Sequence, residues 1–296
     1  MEIITTLQQV EAEWLVKFFQ ALTFMGNQEF YLLLAPFLFW CVDWAVGARL
    51  TIMYLLAVWL NTEIKDIVQA PRPFQEDPSV ILVDPEEIYG VGYGMPSGHA
   101  QWAMTVWGVL ATWVQRGWFW LLVGILVFLI GLSRVYLGMH YPSQVAAGWG
   151  LGLVTVALYA GLYRPVEQAI ARLSLGAQLG LAVVVPGALL WLHPVADVVA
   201  ATAVLTGLGI GLVIARHYLS FVVEGSWGQR VARYLLGIII VLAIYFGLSA
   251  IFPGEGESLY VPLRFVRYAL LGLWISVGAP WLFSLTRLMT VQVQPA

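Results

Sequence analysis

The stretch Ser133-Arg134-Val135-Tyr136-Leu137-Gly138-Met139-His140-Tyr141-Pro142-Ser143-Gln144 breaks an otherwise apolar run. Residues 118–132 before it and 145–163 after it read as membrane helix. An arginine and a histidine are costly in that setting, so they mark a site. Pro142 suits the first position of a helix, where its missing N–H would lack a partner anyway. His140 then sits just ahead of a helix N-terminus, where unpaired N–H groups favour an anion. Read alone, the segment also fits a loop at the membrane edge, with Arg134 snorkelling and His140 at the interface.

Two upstream constellations decide between these readings. Lys65-Asp66-Ile67-Val68-Gln69-Ala70-Pro71-Arg72-Pro73 closes one apolar segment, and Pro96-Ser97-Gly98-His99 opens the next. In this order and at these spacings, the three stretches resemble the type 2 phosphatidic acid phosphatase (PAP2) superfamily. That group also includes glucose-6-phosphatase and the vanadium haloperoxidases. Its pattern is K-x6-RP, then PSGH, then SR-x5-H-x3-D. Every position agrees except the last, where Gln144 stands in place of Asp.

Composition points to the membrane independently. Of 296 residues, 60% are hydrophobic and only 10% charged, far from the balance of a soluble domain. The mean hydropathy of +0.83 agrees. The net charge of -3 is small and points to no partner, and with no basic stripe and no matching motif nucleic-acid binding has no support. The single cysteine, Cys41, cannot form an intramolecular disulfide. Met1 to Lys17 carries three glutamates and no basic leader, so no cleavable signal peptide is expected.

Taken in order, residues 12–25 contain Glu13 and Lys17 and read as an interfacial helix that Gly26 and Asn27 terminate. Apolar runs of spanning length follow at about 28–46, 48–66, 98–115, 117–138, 142–163, 177–193, 195–215, 232–252 and 266–287. The expected fold is therefore all-α: a polytopic membrane bundle of about nine helices around a PAP2-type core. Pro36 and Asp43 weaken the first run. Residues 70–95, with Glu76, Asp77, Asp84, Glu86 and Glu87, read as a solvated loop. Gly148/Gly150/Gly152 and Gly207/Gly209/Gly211 put small residues on single helix faces, a pattern suited to close helix packing. Residues 1–215 are expected to hold the catalytic core, and 216–296 to add scaffold helices.

With nine spans, Arg49, Arg116, Arg164, Arg172, Arg216, Arg230, Arg233 and Arg287 fall on one side. Lys17, Arg264, Arg267 and the motif cations fall on the other. Basic residues favour the cytoplasm, so the motifs face away from it. That side is periplasmic in a bacterial inner membrane and lumenal in a eukaryotic one.

The chemistry follows from the residue types. Lys65, Arg72 and Arg134 offer fixed positive charge to a phosphate dianion, and the arginines offer paired donors. Ser97 and the Gly98 N–H, at a helix mouth, add directed donors. The family resemblance assigns the remaining roles: His140 attacks phosphorus, and His99 protonates the leaving oxygen. It also implies that residue 144 orients His140. Glutamine can accept the same N–H but brings no charge, and the surrounding segment, with its Gln, is similar to glucose-6-phosphatase. No His/Asp/Glu cluster has ligand spacing, so neither a metal nor a cofactor is expected. His193 and His217, at helix ends, read as interfacial. The leading expectation is a metal-independent phosphatase of lipid phosphates in contact with membrane lipids. A sugar phosphatase is the alternative, and a non-catalytic phospholipid-binding or transport protein a further one. A haloperoxidase would use the same cations for vanadate, but those relatives are soluble. Oligomeric state is not legible.

Overall fold

The computed structural model describes residues 1–10, 12–84 and 92–292. Glu86, Glu87 and Tyr89, which the sequence places in the acidic loop, lie outside the described residues. The described chain is almost wholly helical, as a membrane-spanning chain must be: only a helix or a closed barrel satisfies its own backbone in hydrocarbon.

Two short helices open the chain, α1 (Glu2–Gln8) and α2 (Glu13–Phe24). Then α3 (Gln28–Phe37) runs into a π-helical turn, Leu38–Val42. Next come α4 (Trp44–Val68), the one-turn α5 (Pro73–Glu76), α6 (Gly98–Val114), α7 (Gly117–Tyr136) and α8 (Pro142–Ala171). The second half holds α9 (Leu175–Leu192), α10 (Ala196–Tyr218), strand β1 (Ser220–Val222) and α11 (Trp227–Ile251). It closes with α12 (Tyr260–Leu273), a π-turn at Trp274–Gly278, α13 (Ala279–Leu285) and strand β2 (Thr290–Gln292), antiparallel to β1.

Among the described residues, seven helices are long and apolar enough to cross a membrane, against about nine expected. The two shorter ones are identifiable. Gln28–Val42 ends early because the Asp43 carboxylate accepts the N–H groups of Ala45 and Val46, at 2.8 and 3.0 Å. Asp43 thus caps α4 and starts a new helix there. Gly98–Val114 has 17 residues and stops at Gln115 in a left-handed conformation. In the other direction, α8 outruns its expected end at 163. It continues through Pro165 to Ala171, and Arg49 clasps Glu167 beyond the proline with two bonds of 2.7 and 2.8 Å.

The chain divides into two compact units. The first joins Met1–Leu32 to Leu60–Tyr163, and the second joins Leu33–Trp59 to Arg164–Ala296. In the first, Gly148 and Gly152 of α8 abut the backbone of α6 so closely that a Cβ at Gly148 would stand 2.5 Å from the Ser97 carbonyl oxygen. In the second, Gly207 of α10 abuts the backbone of Ala269, and Gly211 abuts the side chain of Ser276. The expected packing role of both stripes is thus seen at these four positions. Gly150 is different: nothing lies within 4 Å of a Cβ placed there.

Candidate active site

All the candidate residues belong to the first unit. Lys65 lies in the last turn of α4, half-buried, and Arg72 just before α5. Ser97 caps α6, whose first two residues are Gly98 and His99. Arg134 lies in the last turn of α7, and Gln144 in the first turn of α8. His140 occupies the connection between them. The turn that presents it depends on Gly138, whose φ of +74° is a left-handed conformation. A side chain there would also run into the Val80 carbonyl oxygen. This tight turn brings the N–H groups of Met139 and His140 both onto the Arg134 carbonyl, at 2.9 and 3.1 Å.

His140 is buried, and both ring nitrogens have defined partners. Nε2 lies 3.1 Å from Arg72 Nη1, and Nδ1 lies 3.1 Å from Gln144 Oε1. A guanidinium only donates, so Nε2 presents its lone pair to Arg72 and Nδ1 carries the proton. The Gln144 amide is itself fixed in the matching sense. Its Nε2 donates to the Pro71 carbonyl at 2.7 Å, and its Oε1 also accepts the Tyr141 N–H at 3.1 Å. Gly94 leaves room for this amide, since a Cβ there would press on it at 2.5 Å. Gln144 thus contacts His140 through an amide oxygen, where the family pattern has a charged carboxylate.

Arg72 is anchored besides by Nε to the Gly92 carbonyl at 2.9 Å and Nη1 to the Met139 carbonyl at 3.4 Å. Burial holds the His140 imidazole well below its ordinary range, and the charges of Arg72, Arg134, Lys65 and His99 depress it further. The free site thus holds a neutral imidazole among buried cations, an arrangement that an incoming anion balances.

His99, also buried, is held by a residue that sequence reading treated only as a helix breaker. Its Nε2 lies 2.7 Å from Asn27 Oδ1. Asn27 stands at the junction of α2 and α3, where Gly26 passes so close that a Cβ would touch the His99 ring at 3.1 Å. Nothing local in the sequence announces this contact, apart from an amide and a glycine placed together at the end of an apolar helix. The Ser97 hydroxyl is buried with no hydrogen-bond partner among the described residues. It stands beside Gly98, whose N–H has no intrahelical acceptor at the first position of α6. Buried hydroxyls are seldom left so, and an anion at this helix mouth would satisfy both donors.

Two further residues connect to the site. Asn61 of α4 donates to Gln101 Oε1 at 2.7 Å and to the Pro96 carbonyl at 3.3 Å, steadying the start of α6. Glu76, read from sequence as merely solvated, accepts the Tyr141 hydroxyl at 2.6 Å, and that contact pushes the phenol up to about 12. Beside the motifs, Ile64, Val68, Met95, Pro96, Ala147, Gly150, Leu151 and Val154 line an apolar groove of about 380 Å³. It abuts the site in sequence, since Ile64 precedes Lys65 and Pro96 precedes Ser97.

Residues 46–168 match the PAP2 superfamily, and residues 199–291 match the transmembrane extension of PAP2 superfamily phosphatases. Sphingosine-1-phosphate phosphatase 2 of Homo sapiens is 30% identical over 89% of this chain and 76% of its own length. Sphingosine-1-phosphate phosphatase 1 of Mus musculus is 25% identical over 88% and 70%. Among solved structures, the transmembrane PAP2 type phosphatidylglycerolphosphate phosphatase from Bacillus subtilis aligns with a TM-score of 0.48. It is 24% identical and covers 55% of this chain and 84% of that one.

Proposed function

The chain belongs to the PAP2 superfamily of membrane phosphatases, and from that premise we propose that it hydrolyses the phosphate monoester of a membrane lipid through a phosphohistidine. The observation that carries the reading is the fixed His140 ring: Nδ1 held by Gln144, and the Nε2 lone pair aimed at the Arg72 guanidinium. A phosphoryl group bound by Arg72, Arg134, Lys65, Ser97 and the Gly98 N–H would lie where Nε2 can reach phosphorus. Attack forms the N–P bond as the P–O bond to the leaving group breaks, and His99 gives its proton to the departing oxygen. Water then attacks the phosphohistidine, giving its proton to His99, and inorganic phosphate leaves. The cations act throughout on charge at the phosphoryl oxygens. No step in this scheme calls for a metal.

The lipid substrate class is supported by the apolar groove beside the motifs and by relatives named for sphingosine 1-phosphate. The arginine distribution, read with nine spans, supports a site that faces away from the cytoplasm, periplasmic or lumenal. Residues 1–215 carry the catalysis in this reading, and 216–296 support it as scaffold. The test is phosphate release by detergent-purified protein in EDTA, with His140→Ala as the blank. Sphingosine 1-phosphate, phosphatidate, undecaprenyl phosphate and glucose 6-phosphate are compared. Release from lipids that vanishes in His140→Ala is the expected result. Preference for glucose 6-phosphate would replace the lipid reading with the sugar one, and no release from any substrate by folded protein would leave a binding or transport role.

A further inference from the structure

Outside the motifs, the second unit carries a cluster of cations that the proposed reaction does not use. Arg267 of α12 is only 8% exposed, and its Nε is buried with no hydrogen-bond partner among the described residues. What holds its guanidinium is aromatic: the carbon stands 4.9 Å from the Tyr268 ring centre and 5.5 Å from that of Tyr245. One turn earlier, Arg264 stands 5.2 Å from Tyr268 and 5.7 Å from Tyr260. Arg264 also donates Nε to the Ala196 carbonyl at 3.2 Å and Nη1 to the Tyr260 hydroxyl at 2.9 Å. Tyr268 is thus shared by two guanidinium groups.

Ring faces attract a guanidinium and fix its plane, but they leave its N–H edge without an acceptor. Neither arginine forms an ion pair with a carboxylate among the described residues. Two like charges on one ring repel, and a cation buried in an apolar helix bundle without a counterion is costly. Water can satisfy an N–H but cannot balance the charge. An oxyanion can do both, and the planar fork of arginine matches phosphate oxygens in pairs.

We infer that Arg264 and Arg267 form a second, non-catalytic site for a phosphate-type oxyanion, supplied either by an anionic lipid headgroup or by free phosphate. The tyrosines pre-organise the two forks, so an anion binds without ordering long side chains first.

The test uses the full detergent-purified chain carrying His140→Ala, so that no probe is turned over. Thermal unfolding is followed with phosphatidylglycerol, phosphatidylcholine or inorganic phosphate, and repeated with Arg267→Gln or Arg264→Gln added. Saturating phosphatidylglycerol should raise the midpoint by roughly 3 °C more than phosphatidylcholine does. Either glutamine variant should remove at least half of that difference. A shift with inorganic phosphate that depends on Arg267, in place of the lipid shift, would identify the anion as free phosphate. Should Arg267→Gln fail to fold, Arg264→Gln decides alone, because that side chain is only half-buried. Shifts equal with and without these arginines, for every probe, would overturn the inference.

Discussion

His140 finds its positioning partner, Gln144, four residues along the same segment, whereas His99 finds Asn27 seventy-two residues away in sequence. The first contact is nearly guaranteed by local geometry, since a side chain in the first turn of α8 overhangs the residue that leads into it. The second exists only because the α2–α3 junction packs beneath the start of α6, with Gly26 giving the clearance. The two histidines therefore differ in what can disturb them. His140 answers to changes in its own loop, while His99 answers to changes at a helix junction seventy-two residues earlier.

The largest effect should come from the nucleophile. His140→Ala is expected to reduce kcat by at least about 10³-fold for every substrate, because no neighbouring group can form the intermediate. His99→Asn should cost roughly 10²–10⁴-fold on alkyl phosphates, and far less on a substrate whose leaving group needs no proton, such as para-nitrophenyl phosphate. Equal losses on both substrates would remove the acid role from His99. Arg72→Lys keeps the charge but loses the fork and the contact to Nε2, and kcat/KM is expected to fall about 10²-fold.

Smaller changes test the positioning contacts. Asn27→Ala should lower kcat about 10-fold on alkyl phosphates and leave para-nitrophenyl phosphate nearly untouched, the same leaving-group signature as His99 in weaker form. A uniform loss would make Asn27 only a packing residue. Gln144→Asp should change the rate least and the pH profile most. Protonating His140 removes its lone pair, and burial with neighbouring cations holds it below the ordinary range. In the native protein, the acidic limb of kcat/KM that reports His140 should thus lie below about pH 6.5. A carboxylate beside Nδ1 stabilises the imidazolium, so the acidic limb in Gln144→Asp should move to higher pH.

Much of this was legible in the sequence, and for identifiable reasons. The membrane helices declared themselves by composition, and the three motifs by spacing. The structure brings Arg72, His140 and Gln144 into direct contact, which the order of the motifs alone did not reveal. What the sequence did not disclose were contacts made by packing. Asn27 looked like a helix breaker, Glu76 like a solvated carboxylate, and Asp43 like an interruption within a span rather than the cap of α4. The Arg264–Arg267 cluster was equally silent, since its meaning lies in rings contributed by two helices. Among the described residues, two of the nine apolar runs form helices shorter than a full span, because hydropathy registers apolar length and not where a cap ends the helix.

The most direct test of the central claim is to quench turnover of a ³²P-labelled lipid phosphate in alkali and locate the label. Gln144 holds Nδ1, so phosphate is expected on His140 and on Nε2, identified by peptide mass spectrometry and by the ³¹P shift of the isomer. Label on His140 Nδ1, on His99, or on no histidine while phosphate is still released would contradict the geometry from which the mechanism was drawn.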